Sequence, residues 1–420
     1  MRKWRHADTS CHNSVIGTMF EYRRRQQSDI SVWLGRSVMV VITTVSIILM
    51  AVVIVPGTTF AGGATERTTV KTTNTLSAPR DTTTTSSTPT PTTTTTTPDP
   101  TTPSKPGGLI AIGPSRSECL GPNFDDTGLG AVNAVVAKFE AETHSSVSCL
   151  SAYLNGEPTW IKWEHPWITS PQYGYTGWIA EQPERRQLVL QVDLIPSSLE
   201  NVGDPIGWEQ SCAAGDFNSF ATALGTNLVA AGLQNSVLRL GAEMNGIWEE
   251  DFVGTTIVEQ HLWATCFANE ATALRQATGE HFLIDWNPNA CVEDIPLGNY
   301  YPGDAYVDIV GLDLFDVSCQ YPRTRRTFQQ LAGEVLGLDT FEAFAIAHKK
   351  PMSLPEWGLK AYPNGDDPEY IDGIGATVAR RDFAFQSYFN VNVKIRPYLA
   401  LGPDAPLALK AFKKWFGDRS

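Results

Sequence analysis

Two glutamates stand where acid–base and nucleophilic chemistry would need them. Glu243 lies in Ser236-Val-Leu-Arg-Leu-Gly-Ala-Glu-Met-Asn-Gly-Ile-Trp248, at the end of an apolar, β-branched run. Glu356 ends another such run, Lys350-Pro-Met-Ser-Leu-Pro-Glu-Trp-Gly358. Glycosidic cleavage needs such a pair: one carboxyl group protonates the leaving oxygen, the other attacks the sugar or activates water. A single Glu at a strand end is usually solvated, or is a charge at a helix N-terminus. A pair of them, each close to Trp and Gly, makes a pattern.

Other residues gather around the two. Arg239 points the same way as Glu243 by strand alternation, either as a cation that keeps a carboxylate ionised or as an internal salt bridge. Asn245 is read as a hydrogen-bond partner for a sugar hydroxyl or as a helix cap. Trp248, Trp286 and Trp357 adjoin run ends and are candidate platforms for sugar rings, and Asp313 is a further substrate-binding candidate. Trp160, Trp163, Trp167 and Trp178 follow the second run as distal sugar subsites or a packed minor core. His165 is read as structural, and Asp193 either orients substrate or bonds loop backbone. No Cys or His pair has metal-ligand spacing, so neither metal nor cofactor is expected.

The elements that must position these residues form a series. Apolar runs begin near Leu109, Val147, Leu188, Ser236, Phe282, Val307, Lys350 and Phe383. Helix-like stretches fall between several of them, at 130–143, 219–233, 258–278 and 368–380. Strands apolar on both faces and separated by helices imply parallel pairing. Eight such units predict a (β/α)8 barrel, with a generic α/β sandwich as the alternative. In such a barrel catalytic residues sit at the C-terminal ends of strands. Glu243 and Glu356 end the fourth and seventh.

The motifs resemble a family. Arg239-Leu-Gly-Ala-Glu-Met-Asn-Gly-Ile-Trp248 looks like the acid/base strand of glycoside hydrolase family 26, the β-mannanase-like barrels. Asp285-Trp-Asn-Pro-Asn289, the 300–313 segment, Pro355-Glu-Trp-Gly358 and Phe385-Gln-Ser-Tyr-Phe-Asn390 match in order along residues 108–420. The resemblance implies a retaining mechanism, with Glu243 as acid/base and Glu356 as nucleophile, on a mannan-like β-linked polysaccharide. Two residues depart from it. Ala242 stands where the family often has His before the acid/base. Phe315 stands where strand six commonly supplies an aromatic hydroxyl to the nucleophile, with Asp313, Asp316 or Tyr301 as candidate replacements. These departures motivate an alternative, a carbohydrate-binding barrel with lost catalysis. A wall-remodelling transglycosylase would keep the same site.

The N-terminal part has other jobs. Residues 38–55 form an uncharged apolar run, long enough for the lower limit of a membrane span. Arg23, Arg24, Arg25 and Arg36 precede it, which predicts a cytoplasmic tail over 1–37 and export of the rest. A cleaved signal peptide is the alternative. Thr fills 22 of positions 58–106, so 56–107 reads as a Thr/Pro-rich disordered stalk. The expected protein is thus a single-pass plasma-membrane protein with an extracellular barrel over 108–420. Its partners would be the lipid bilayer, through 38–55, and a polysaccharide. Residues 1–37 carry seven Lys/Arg against three Asp/Glu, leaving 25 against 42 in the rest. That acidic balance argues against nucleic-acid binding. Six of the seven cysteines fall in the exported part, as expected for three disulfides: Cys119–Cys149, Cys212–Cys266 and Cys291–Cys319.

Overall fold

The computed structural model describes residues 117–120, 128–154, 156–199, 207–292, 295–318, 326–391 and 398–417. The expected tail, span and stalk, and the boundary at 108, lie outside the described residues. Among the described residues no helix is long and apolar enough to cross a membrane.

Eight parallel strands close into a barrel. In chain order they are β1 (Ser117–Leu120), β2 (Cys149–Tyr153), β3 (Gln187–Val192), β4 (Val237–Leu240), β5 (Leu283–Trp286) and β6 (Ile309–Gly311), then β8 (Met352–Lys360) and β9 (Phe383–Tyr388). Each pairs with the next, and β9 pairs with β1 to complete the ring. The short β7 (Leu314–Phe315) extends the sixth barrel position and pairs with β8, whereas β10 (Tyr398–Leu399) runs antiparallel to β8. The fourth and seventh barrel strands are therefore β4 and β8. The first strand begins at Ser117 rather than near Leu109, which lies outside the described residues.

Helices follow the strands: α1 (Leu129–Thr143), α2 (Trp160–Glu164), α3 (Tyr175–Glu181), α4 (Gly207–Ala213), α5 (Asn218–Ala230) and α6 (Ile257–Leu274), then α7 (Leu297–Tyr300), α8 (Phe328–Ala332), α9 (Leu338–His348), α10 (Pro368–Arg380) and α11 (Pro406–Phe416). Local signals set their ends. Thr256 and Glu259 make a reciprocal cap for α6. Asp367 accepts from the Tyr370 amide, with Pro368 at the first turn of α10.

Strand alternation divides the barrel into two apolar layers. Leu188, Leu190, Leu238, Leu240, Ile284 and Leu354 face outward and pack under the helices. Cys119, Cys149, Val189, Val237, Leu283, Ile309 and Phe385 fill the floor inside. Two residues further along the strands the interior turns polar. Ser151 and Ser387 meet at 3.0 Å, and Ser353 donates to Asp285 at 2.6 Å. Gly311 leaves room for that pair: a Cβ there would stand 2.6 Å from Asp285 Oδ1 and 2.9 Å from Ser353 Oγ. Polar residues become denser toward the mouth.

Disulfides tie the strands and helices together. Cys119–Cys149 bridges β1 and β2 within the floor, and Cys212–Cys266 joins α4 to α6, both as expected. Cys291 is also disulfide-bonded, while Cys319 lies outside the described residues.

Candidate active site

The site is built on the ends of β4, β5, β6 and β8. Glu243 lies in the turn after β4 with φ 55°, a left-handed conformation uncommon for a residue with a side chain. The turn is held from both sides: the Glu243 amide donates to the Asn287 carbonyl at 2.7 Å, and the Gly246 amide donates to the Glu243 carbonyl at 2.7 Å. Each carboxylate oxygen of Glu243 then accepts one hydrogen bond, from Trp248 Nε1 at 2.7 Å and Asn289 Nδ2 at 2.5 Å.

Glu356 is delivered differently. β8 breaks register with β9 between Leu354 and Trp357, the signature of a bulge, and Pro355 sits there without an amide to lose. The extra residue turns Glu356 into the barrel, while Leu354 and Trp357 stay in the outer layer. The Glu356 amide donates to Asp313 Oδ1 at 2.8 Å, and its Oε1 accepts from Arg239 at 2.8 Å. The same guanidinium donates to Asp313 Oδ2 at 2.5 Å and to Asn287 Oδ1 at 2.7 Å. Arg239 is fully buried. Burial works against its charge, yet Asp313 and Glu356 hold it protonated beyond its ordinary range.

One carboxylate oxygen from each of Glu243, Asp313 and Glu356 lies within 4.8 Å of the other two. The two glutamates have different surroundings. Burial raises the Glu243 pKa above its usual value, the Glu356 charge adds to this, and hydrogen bonds from Trp248 and Asn289 with the Arg239 charge partly offset it. Glu356 is in direct contact with a permanent cation. One carboxyl group is thus biased to hold a proton, and the other is held against a guanidinium.

Of the residues expected to bind substrate, only Trp248 keeps exposed surface, and its Nε1 donates to Glu243. Trp286 and Trp357 are corrections. Each directly follows an inward-facing residue, Asp285 or Glu356, so alternation sends the ring outward. Trp286 is buried against Tyr300, Tyr301 and Phe344, and Trp357 against Tyr388, Phe412 and Phe416. Neither offers a face to a sugar. Arg239 and Asp313 are also fully buried and hold Glu356 instead of substrate. Asn245 is buried too, neither capping a helix nor free for sugar: its amide donates to the carbonyls of Asn289 and Val292, and its Oδ1 accepts from the Asn289 amide. That clamp places Asn289, whose role sequence reasoning missed although its motif was recognised.

Trp163 and Trp178 are buried in the main core, and Trp160, stacked on Phe220, and Trp167, edge-on to Tyr173 and Tyr175, pack against it, so these four are core residues and not a separate minor core. His165 is exposed on the surface. Asp193 bonds loop backbone, accepting from the Gly156 amide at 2.9 Å. Among the replacements considered for the hydroxyl lost at Phe315, Tyr301 donates to Asp304 instead, and Asp316 accepts from the Lys360 amide. Tyr153, at the end of β2, went unrecognised; its hydroxyl oxygen is buried, and burial first and the Glu356 charge second hold it well above the ordinary phenol range.

The family model described as Glycosyl hydrolase family 26 matches residues 229–344. This span contains Glu243, Asn289 and Asp313 and stops before Glu356. A search of curated proteins finds no match. Solved structures similar to this chain include a GH26 β-mannanase from Bacteroides ovatus, at 17% identity and TM-score 0.48, covering 67% of this chain and 84% of that one. A Cellulomonas fimi endo-β-1,4-mannanase double mutant gives 16% identity and TM-score 0.47, covering 72% of this chain and 71% of that one. Bacillus subtilis mannanase gives 16% identity and TM-score 0.44, covering 65% and 79%.

Proposed function

We propose that this chain is a retaining glycoside hydrolase that cleaves a β-linked polysaccharide, mannan-like in its backbone. The observation that carries the reading is the close approach of Glu243 and Glu356, whose carboxylate oxygens lie within 4.8 Å of each other. Retention needs carboxyl groups ~5–5.5 Å apart, whereas inversion needs ~6.5–9.5 Å to admit a water. The family match over 229–344 supports the same reaction class and, with the resemblance along 108–420, is the reason mannan comes first among substrates.

The steps follow from the two environments. Glu356, oriented by Arg239 and the Asp313-bound backbone, attacks the anomeric carbon. Protonated Glu243 gives its proton to the departing glycosidic oxygen, leaving a glycosyl ester on Glu356 and a free sugar hydroxyl. Glu243, now ionised, takes a proton from water as that water attacks the same carbon, and Glu356 leaves as carboxylate. Trp248 and Asn289 donate to the ionised Glu243 formed between the steps.

The reading extends to location. The uncharged run over 38–55 and the Thr/Pro-rich stretch support a tethered, exported domain, and disulfides within the barrel fit an oxidising compartment.

The test is a panel of β-linked polysaccharides offered to the full chain, with β-mannan first. Reducing ends should appear with the wild type and fall by at least about 10³-fold with Glu356→Gln. Glu243→Gln should lose about 10²–10⁴-fold. Full activity in either variant would remove that residue from its role.

A further inference from the structure

Between α4 and α6 lies a buried cluster that the cleavage steps do not use. Cys212 of α4 and Cys266 of α6 are fully buried, and so is Glu270, one turn after Cys266 on the same face of α6. Glu270 Oε1 lies 3.5 Å from Cys212 Sγ and 4.0 Å from Cys266 Sγ, and its Oε2 is buried with no hydrogen-bond partner. The sulfurs of a disulfide carry no hydrogen to donate, so the carboxyl group keeps its own proton. Burial raises its pKa, and the Asp251 charge adds to this. A buried carboxyl without donors is costly unless it faces a cation.

We propose that, once the disulfide is reduced, Cys212, Cys266 and Glu270 bind one divalent cation of the zinc class. One ligand atom from each already lies within 4.8 Å of the other two. With zinc–sulfur and zinc–oxygen bonds of about 2.3 and 2.0 Å, the sulfur–oxygen edge of a tetrahedron is about 3.5 Å. Glu270 Oε1 stands at that distance from Cys212 Sγ and slightly beyond it from Cys266 Sγ. Only the two sulfurs must part, to about 3.8 Å, and a water completes the tetrahedron. Two thiolates select a soft ion over calcium or magnesium. Asn269 holds the helices in place, its Nδ2 donating to the carbonyls of Cys212 at 3.1 Å and Ala213 at 3.0 Å. The two cysteines are 54 residues apart on different helices, so no short spacing revealed them. The ion joins α4 to α6 in the reduced chain as the disulfide does in the oxidised one. A phosphine reductant converts the disulfide to two thiols and leaves as its oxide, with the oxygen coming from water. Metal binding then releases both thiol protons and the Glu270 proton.

The test titrates Co2+, a coloured stand-in for zinc, into the full chain with and without phosphine reduction. The reduced wild type should develop a sulfur-to-cobalt charge-transfer band and the visible bands of tetrahedral coordination, and Zn2+ should displace both. The oxidised chain should develop neither. Reduction frees other cysteines too, so Cys212→Ser should abolish the signal if it belongs to this site. Glu270→Gln keeps both thiols and should bind at least about 10-fold more weakly. Zinc at about 100 times its Kd should raise the melting temperature of the reduced wild type by about 5 °C. No charge-transfer band in the reduced wild type, a band that survives Cys212→Ser, or equal affinity in Glu270→Gln would overturn the proposal. An unmoved melting temperature, or a reduced chain that unfolds with zinc present, would overturn it as well.

Discussion

Arg239 shows what a single residue does here. It is fully buried, yet it donates to Glu356, Asp313 and Asn287, so three acceptors depend on one guanidinium. Removing one partner of a buried charge network leaves the others uncompensated, typically at a cost of about 3–5 kcal/mol. Arg239→Met should therefore lower stability by about that much in denaturant melts and cut kcat by at least about 10²-fold. Lys cannot restore the fork, so Arg239→Lys should recover only part of either loss. Glu243 gives a second prediction. Trp248 and Asn289 donate to its ionised form. Removing either donor with Trp248→Phe or Asn289→Ala should raise the Glu243 pKa, so the alkaline limb of the kcat/KM profile should move to higher pH; a move to lower pH would contradict the assignment of Glu243 as acid. Both glutamates were legible in the sequence because a carboxylate ending an apolar run is conspicuous. Tyr153 was not, because an aromatic residue ending a strand looks like any strand residue until the closed barrel brings β2 to face β8.

Among the elements, alternation and one bulge decide which side chains reach the site. The runs for β2 to β6, β8 and β9 were legible as apolar, β-branched stretches, and the 368–380 helix appeared as read. Trp286 and Trp357 were misread because proximity in sequence was taken for proximity in space. Each is one residue from an inward carboxylate and so lies on the outer layer. Trp357→Leu should accordingly destabilise the protein by about 2–4 kcal/mol in denaturant melts while leaving KM nearly unchanged. Trp248→Ala, by contrast, should raise KM. A raised KM in the Trp357 variant with unchanged stability would mean that the ring faces substrate. The bulge at Pro355–Glu356 left no sequence signal except the proline itself. The turn that presents Glu243 was equally hidden, since its left-handed conformation is held by backbone bonds to the Asn287 carbonyl and from the Gly246 amide and not by a glycine at that position.

At the scale of the whole molecule, the (β/α)8 closure that the eight runs predicted is present among the described residues, and two of the expected disulfides join its elements. The barrel carries buried carboxylates away from the reacting pair. Asp285 and Asp316 are both pushed up to about 7, first of all by burial, and Glu270 is also raised by burial. For a carboxyl group whose pKa is raised by folding, the folded state binds more protons between the two values, so stability falls as pH rises. The melting temperature should therefore be higher near pH 4.5 than near pH 7.5. Asp285→Asn should flatten that slope, and a melting temperature that rises across this window would contradict the burial account. The central claim is a retaining cleavage by Glu243 and Glu356, and the anomeric form of the first product tests it most directly. Proton NMR recorded within minutes of mixing the full chain with β-mannan should show the new reducing end in the β form, relaxing to the α/β mixture by mutarotation. A product that first appears as the α anomer would contradict the double displacement and the roles given to both glutamates.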